Sequence, residues 1–174
     1  MNFLKIDYLV HGNQKQQDAF RELQSLRLFE VLKPYHPLLA GTIPINIDIK
    51  DSDLDIICQC KEHQKLIGLV TDTYGEMRGF EVNQRVRDGI DCTVIRFYGK
   101  QFLIEIFAQD IPSEEQHAFR HMLIEDQILK MKGEDFRQEV LKLKERGIKT
   151  EPAFVQLLGL KGDPYKALLA WKVD

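Results

Sequence analysis

Asp53-Leu54-Asp55-Ile56-Ile57-Cys58-Gln59 is the stretch on which the fold turns. It is a short, mostly apolar run with two carboxylates at its start, and its length and paired isoleucines read as a β-strand. Side chains at i and i+2 of a strand share a side, so Asp53 and Asp55 face one way while Leu54 turns into the core. Two like charges that close repel each other and raise one pKa unless a cation neutralises them. A hard divalent ion such as Mg²⁺ binds carboxylate oxygens and does this. Cys58 and Cys60 also share a side. They read as reduced thiols packed near a sheet, since a zinc site needs further Cys or His ligands close by. With Cys92 they make three cysteines, an odd number that builds no disulfide framework.

Upstream, Asn13 to Lys33 carries Phe20, Leu23, Leu26, Leu28, Val31 and Leu32 at helical spacing, and Pro34 and Pro37 stop the helix. His36 to Gly41 reads as a short buried strand that ends at a glycine. Glycine lets backbone approach a phosphate closely, and backbone N–H groups with the Thr42 hydroxyl can donate to phosphate oxygens. Taken alone, Gly41-Thr42 is equally a tight turn. Thr42 to Ser52 reads as a loop containing Pro44, with the alternating Ile45-Asn46-Ile47-Asp48-Ile49 briefly extended.

Downstream, Lys61 to Tyr74 reads as a helix closed by Gly75. Strands follow at Gly79 to Arg87, Ile90 to Phe97 and Phe102 to Phe107, with hairpin turns at Asp88-Gly89 and Gly99-Lys100. Glu105 sits inside the apolar Phe102 to Phe107 run, on the side of Leu103 and Phe107. An ionised carboxylate in a buried run is expensive, so Glu105 marks either a metal site at the sheet surface or an exposed face of an edge strand. Beyond Asp110 the pattern becomes helical. Ser113 and Gln116 have capping-box spacing for a helix from Glu114 to about Met131, which Gly133 breaks. Further helices are expected at Asp135 to Arg146 (ended by Gly147), Thr150 to Leu158, and Pro164 to Trp171 behind an Asp163 cap. The expectation is an α+β fold with residues 1–110 as a mixed-sheet core and residues 111–174 as a helical C-terminal extension packed on it.

Several polar residues have two readings. Arg85 and Arg87 share a strand face, as phosphate ligands or as a solvated edge. Arg96, Lys149 and Lys161 are further phosphate candidates. His117, His121 and Glu125 form one helical stripe, lining a cleft, holding a metal, or solvated and partly packed. Trp171 and the apolar residues of the last helix are packing residues or a homodimer surface.

The chain has 174 residues, 44% hydrophobic and 29% charged, with a formal net charge of -3. That composition suits a soluble globular protein, and the acidic balance argues against a long nucleic-acid partner while leaving room for a small anionic one. No signal peptide and no bilayer-length apolar run are seen, so the expected place is the cytoplasm, with no membrane partner.

Together these blocks resemble the nucleotidyltransferase superfamily of DNA polymerase beta-like folds. Its pattern is a hydrophobic strand ending in Gly-Ser or Gly-Gly, then Asp-hydrophobic-Asp or Asp-hydrophobic-Glu, then a later strand with one more acid. Here it reads Leu39-Ala40-Gly41-Thr42, Asp53-Leu54-Asp55-Ile56 and Ile104-Glu105-Ile106. Thr42 stands where Ser or Gly is usual, Pro44 makes the intervening loop unusual, and Glu105 stands where Asp is commoner. The sequence is also similar to a small uncharacterised bacterial family within that superfamily. The residues are Gly41-Thr42-Ile43-Pro44-Ile45, Ser52-Asp53-Leu54-Asp55, Lys149-Thr150-Glu151-Pro152-Ala153-Phe154 and Gly162-Asp163-Pro164-Tyr165.

The resemblance implies a nucleotidyltransferase-like mixed sheet flanked by helices. It implies transfer of an NMP, AMP first, from ATP or another NTP to a small-molecule or protein acceptor, a partner-protein modifier of toxin–antitoxin type included. Asp53, Asp55 and Glu105 would hold Mg²⁺ or Mn²⁺ and carry catalysis, and Gly41 and Thr42 would contact the nucleotide phosphates. The competing expectation is a catalytically inactive nucleotide-binding or partner-binding module on the same fold.

Overall fold

A computed structural model describes residues 2–87 and 89–172. Its elements begin with α1 (Gln14–Ser25), α2 (Leu28–Val31), β1 (Leu38–Ala40), β2 (Leu54–Gln59) and α3 (His63–Tyr74). Then come β3 (Glu81–Arg87), β4 (Ile90–Tyr98), β5 (Leu103–Gln109), α4 (His117–Glu145), α5 (Thr150–Leu158) and α6 (Pro164–Leu169). The five strands form one mixed sheet in the order β1-β2-β5-β4-β3. Only β2 and β5 run parallel; the other neighbours are antiparallel.

Both sheet faces are covered. On one, Leu39, Leu54, Ile56, Phe97 and Ile104 pack with Leu23 and Leu28 of α1 and α2 and Leu66 and Val70 of α3. On the other, Leu38, Ala40 and Ile57 pack with Phe119, Met122 and Leu129 of α4 and Phe154 of α5. Trp171 packs, partly buried, against this second core. The expected α+β architecture is therefore present, with the helical C-terminal part laid on one face. Among the described residues no helix is long and apolar enough to cross a membrane.

Several local expectations change in the folded chain. The helix expected over residues 13–33 is interrupted at Arg27, which adopts φ 53°. In one straight helix Leu23 and Leu28 would point about 140° apart. The left-handed residue re-aims α2, so both leucines enter the same core. The start of α1 is a capping box in which Asn13 Oδ1 accepts from Gln16 N and Gln16 Oε1 accepts from Asn13 N.

The Ile45 to Ile49 stretch is not extended: it turns, with Asn46 at φ 58°. Turning sends Ile43 into the first core and Ile45 and Ile47 into the second, which a strand could not do. The loop is held from two sides. Gln16 Nε2 donates to the Ile43 and Pro44 carbonyls, and Arg137 Nη1 donates to those of Ile45 and Asn46.

The Ser113/Gln116 capping box does not form, and α4 begins at His117 rather than Glu114. Both side chains tie this segment to the sheet region. Ser113 Oγ donates to the His36 carbonyl, and buried Gln116 Nε2 donates to those of Cys58 and Ile111. Gly133 breaks α4 as expected, at φ 79°, ψ -168°. The last helix ends at Leu169 rather than Trp171, with Asp163 capping it through Lys166 N. Of the expected Asp88-Gly89 turn, Asp88 lies outside the described residues, and Gly89 has φ 79°.

Candidate active site

The register of the sheet assembles a polar row. Ala40 pairs with Asp55, Asp55 with Glu105, Glu105 with Arg96, and Arg96 with Glu81. Laterally paired residues project to the same side, so one position from each strand contributes to one line across the sheet. It lies on the face that α4 and α5 cover, because Ala40 and Ile57 belong to the second core. Asp53 enters from just ahead of β2 and lines one cavity with Asp55. Thus Glu105, distant in sequence, comes to the region of Asp53 and Asp55.

Gly41 closes the row beyond β1. Its φ is 84°, and a Cβ there would collide with Asp55 Oδ2. Glycine is favoured here on two counts, a left-handed backbone and the close approach of a carboxylate. Thr42 is less constrained: its Oγ1 lies 3.4 Å from Ser52 Oγ, which itself accepts from Ile49 N at 2.9 Å.

The electrostatics of the row are unbalanced. Burial pushes the Asp55 carboxyl up to about 8, and the negative charges of Asp53, Glu105 and Glu151 add to it. Asp53 is also raised, first by burial and then by Glu105. Glu105 is held by Arg96, whose Nε and Nη2 both lie 2.6 Å from Oε2, and Arg96 Nη1 reaches Glu81 at 3.1 Å. Arg96, a phosphate candidate in the sequence, is therefore committed to carboxylates. Among the described residues no three His, Cys, Asp or Glu side chains stand together as a ready metal cage. The donor chemistry nevertheless fits a hard cation: two crowded carboxylates beside a third, one of them pushed up to about 8 by burial and by its acidic neighbours.

Two cavities meet at Asp55. One, of about 520 Å³, has Asp53 and Asp55 on one side and Lys144, Lys149, Thr150 and Glu151 on the other. The second, of about 360 Å³, has Asp55 and Glu105 at one end, Arg85 and Arg87 on its border, and His117 and Gln116 from the start of α4. Lys161 is exposed and lines neither.

The helical stripe divides. His117 lines the smaller cavity, whereas His121 is buried against α5 and α6, with Nε2 2.9 Å from the Tyr165 carbonyl and Nδ1 3.7 Å from Glu151. Glu125 is buried deeper. Burial, with Glu151 adding, pushes its carboxyl up to about 8. Lys144, pulled down to about 8 by burial, opposes that shift and donates to the Ile47 carbonyl. Lys144 was not singled out in the sequence. The available signal was its place on the stripe Val140, Leu143, Lys144, where spacing of three and four turns a side chain inward.

Solved structures with this fold include Cid1 poly(U) polymerase with MgGTP bound, at 18% identity and a TM-score of 0.50, covering 74% of this chain and 41% of that one. Cid1 in complex with the UTP analogue UMPNPP matches at 18% identity and a TM-score of 0.52, covering 74% and 39%. A cytoplasmic RNA terminal U-transferase matches at 18% identity and a TM-score of 0.54, covering 82% and 45%. The chain thus spans less than half the length of these structures, and the likeness establishes a nucleotidyltransferase-like fold. No curated protein matches the chain in sequence. The family described as "Domain of unknown function (DUF4269)" matches residues 21–171, and the chain belongs to that family.

Proposed function

We propose that this chain is a metal-dependent nucleotidyltransferase that moves an NMP, AMP first, from an NTP to a small-molecule or protein acceptor. The observation that carries the reading is the meeting of Asp53, Asp55 and Glu105 on one sheet face, against a left-handed glycine turn that Asp55 approaches closely. In this reading residues 1–110 form the catalytic core and residues 111–174 close the cleft. The family would then be a branch of the nucleotidyltransferase superfamily. Asp53 and Asp55 would hold Mg²⁺ or Mn²⁺, with Glu105 completing the set. Bound there, a divalent ion supplies charge neutralisation for the triphosphate and for departing pyrophosphate.

The chain's own groups do the positioning. Gly41 N–H and Thr42 Oγ1 donate to β,γ-phosphate oxygens, and Lys144 and Lys149 face Asp53 and Asp55 across the larger cavity, where they balance phosphate charge. The acceptor hydroxyl oxygen attacks the α-phosphorus, the bond from that phosphorus to the bridging oxygen breaks, and pyrophosphate leaves with the electron pair. The hydroxyl proton passes to Glu105. The acidic net charge of -3 favours a small or protein acceptor over a long nucleic acid.

The test is incubation with each α-labelled NTP and Mg²⁺ or Mn²⁺, reading pyrophosphate release and label transfer. Turnover that falls on the order of a hundredfold or more in Asp55→Asn supports the reading. Turnover unchanged in that variant contradicts it. A second reading, a nucleotide-binding module without catalysis, is favoured by one observation: Glu105 is tied to Arg96. Tight metal-dependent NTP binding with no pyrophosphate release under any condition would select it.

A further inference from the structure

The β3 strand sends Glu81, Arg85 and Arg87 to the site face, because Glu81 pairs with Arg96 and every second residue follows it. The alternate residues go the other way: Val82 packs on the first core, and Gln84 accepts from Gln64 of α3. Arg85 and Arg87 therefore stand side by side, about 7 Å apart along the strand. Among the described residues neither forms an ion pair with a carboxylate, as Arg78, Arg120 and Arg146 also do not, whereas Arg21, Arg27, Arg96 and Arg137 do. Two adjacent guanidinium groups repel each other, and an anion between them removes the repulsion while matching their planar donor forks.

These arginines border the smaller cavity. Its opposite end is Asp55 and Glu105, Ile57, Phe107 and Ala118 lie between, and the wall at the start of α4 is polar, with Glu115, Gln116 and His117. A complementary molecule has an acidic group at the arginine end, an apolar middle, and a hydroxyl donor at the carboxylate end. A space of about 360 Å³ takes a metabolite-sized molecule. A polymer would need an open groove lined with cations along its length instead. We infer that this cavity is a binding site for a small hydroxylated organic acid, a carboxylate or a phosphate monoester, recognised by Arg85 and Arg87. Its role as the acceptor site rests on the transferase reading above. There the ligand's hydroxyl meets the α-phosphorus beside Asp55, and the bonds made and broken are those already given.

Ligand-observed NMR without nucleotide tests the site. The probe is a panel of hydroxylated aromatic and aliphatic carboxylates and phosphate monoesters, each beside its neutral ester or parent alcohol. At least one acid is expected to bind tenfold or more tightly than its neutral counterpart. That preference is expected to vanish in Arg85→Ala/Arg87→Ala, and binding is expected to be lost in Ala118→Trp, which fills the cavity from an exposed position. Comparing the carboxylate and phosphate arms identifies which acid the site takes. Equal binding of acids and neutral partners, a preference that survives loss of both arginines, or no binding by any member overturns the inference. The two readings fail separately: arginine-dependent acid binding without label transfer from any NTP removes the transferase alone. Label transfer to neutral acceptors only removes the acid site alone.

Discussion

Replacing Asp55 by asparagine is expected to stabilise the fold at neutral pH while removing its chemistry. Burial, Asp53 and Glu105 push this carboxyl from 3.8 to about 8, so between those values the folded chain keeps a proton that the unfolded chain releases. Linkage then fixes the sign: the native state binds more protons, and stability falls as pH rises through that window by about 1.4 kcal/mol per unit. From 3.8 to pH 7 the ceiling is about 4 kcal/mol. Solvent at the cleft floor screens part of this, leaving an expected gain of roughly 2 kcal/mol, or about 4–8 °C in Tm. The assay is thermal unfolding of both proteins in chelator-containing buffer from pH 4 to pH 8. The variant is expected to melt higher at neutral pH, and its advantage to shrink towards pH 4. An asparagine variant that melts lower throughout, or by a pH-independent offset, would refute the electrostatic account of Asp55.

Other substitutions probe neighbouring parts. Gly41→Ala places a Cβ against Asp55 Oδ2 at a φ of 84°. It is expected to lose about 1–2 kcal/mol from the backbone alone and at least tenfold in MgATP affinity, read by melting and calorimetry. Thr42→Val removes a hydroxyl whose Ser52 contact is long at 3.4 Å. Stability is expected to hold within about 0.5 kcal/mol while the Kd for MgATP rises about tenfold, the effect of one hydrogen bond to a charged group. Arg96→Gln removes the cation that holds Glu105. Mn²⁺ is expected to bind several-fold more tightly by electron paramagnetic resonance titration, and weaker binding would mean that Arg96 orders the site. Glu125→Gln removes a buried carboxyl raised to about 8 and is expected to flatten the loss of stability between pH 5 and pH 8.

What could be read in the sequence was whatever strand geometry makes local. The alternation in Asp53-Leu54-Asp55 needs no partner strand to be understood, nor does the side on which Glu105 lies. The pairing of Asp55 with Glu105 is different, because it depends on β2 finding β5 in parallel, a contact that neither segment specifies alone. Local signals also lost to tertiary demands. Ser113 and Gln116 carry a cap pattern, yet the His36, Cys58 and Ile111 carbonyls claim their side chains. The Ile43, Ile45, Ile47 alternation imitates a strand because one core needs Ile43 and the other needs Ile45 and Ile47 from the same loop. Beyond its place on the helical stripe, Lys144 carries no distinguishing signal of its own in the sequence, and the packing of α4 against the loop buries it.

The proposed transferase stands on a carboxylate row that binds a metal–nucleotide complex. Calorimetric titration of the protein with ATP in the presence of Mg²⁺ or Mn²⁺, beside Asp53→Asn/Asp55→Asn, tests it most directly. Saturable binding that requires the divalent ion and disappears in the double variant is expected. Binding that is equal with and without metal, that persists in the double variant, or that is absent for all four NTPs would contradict it.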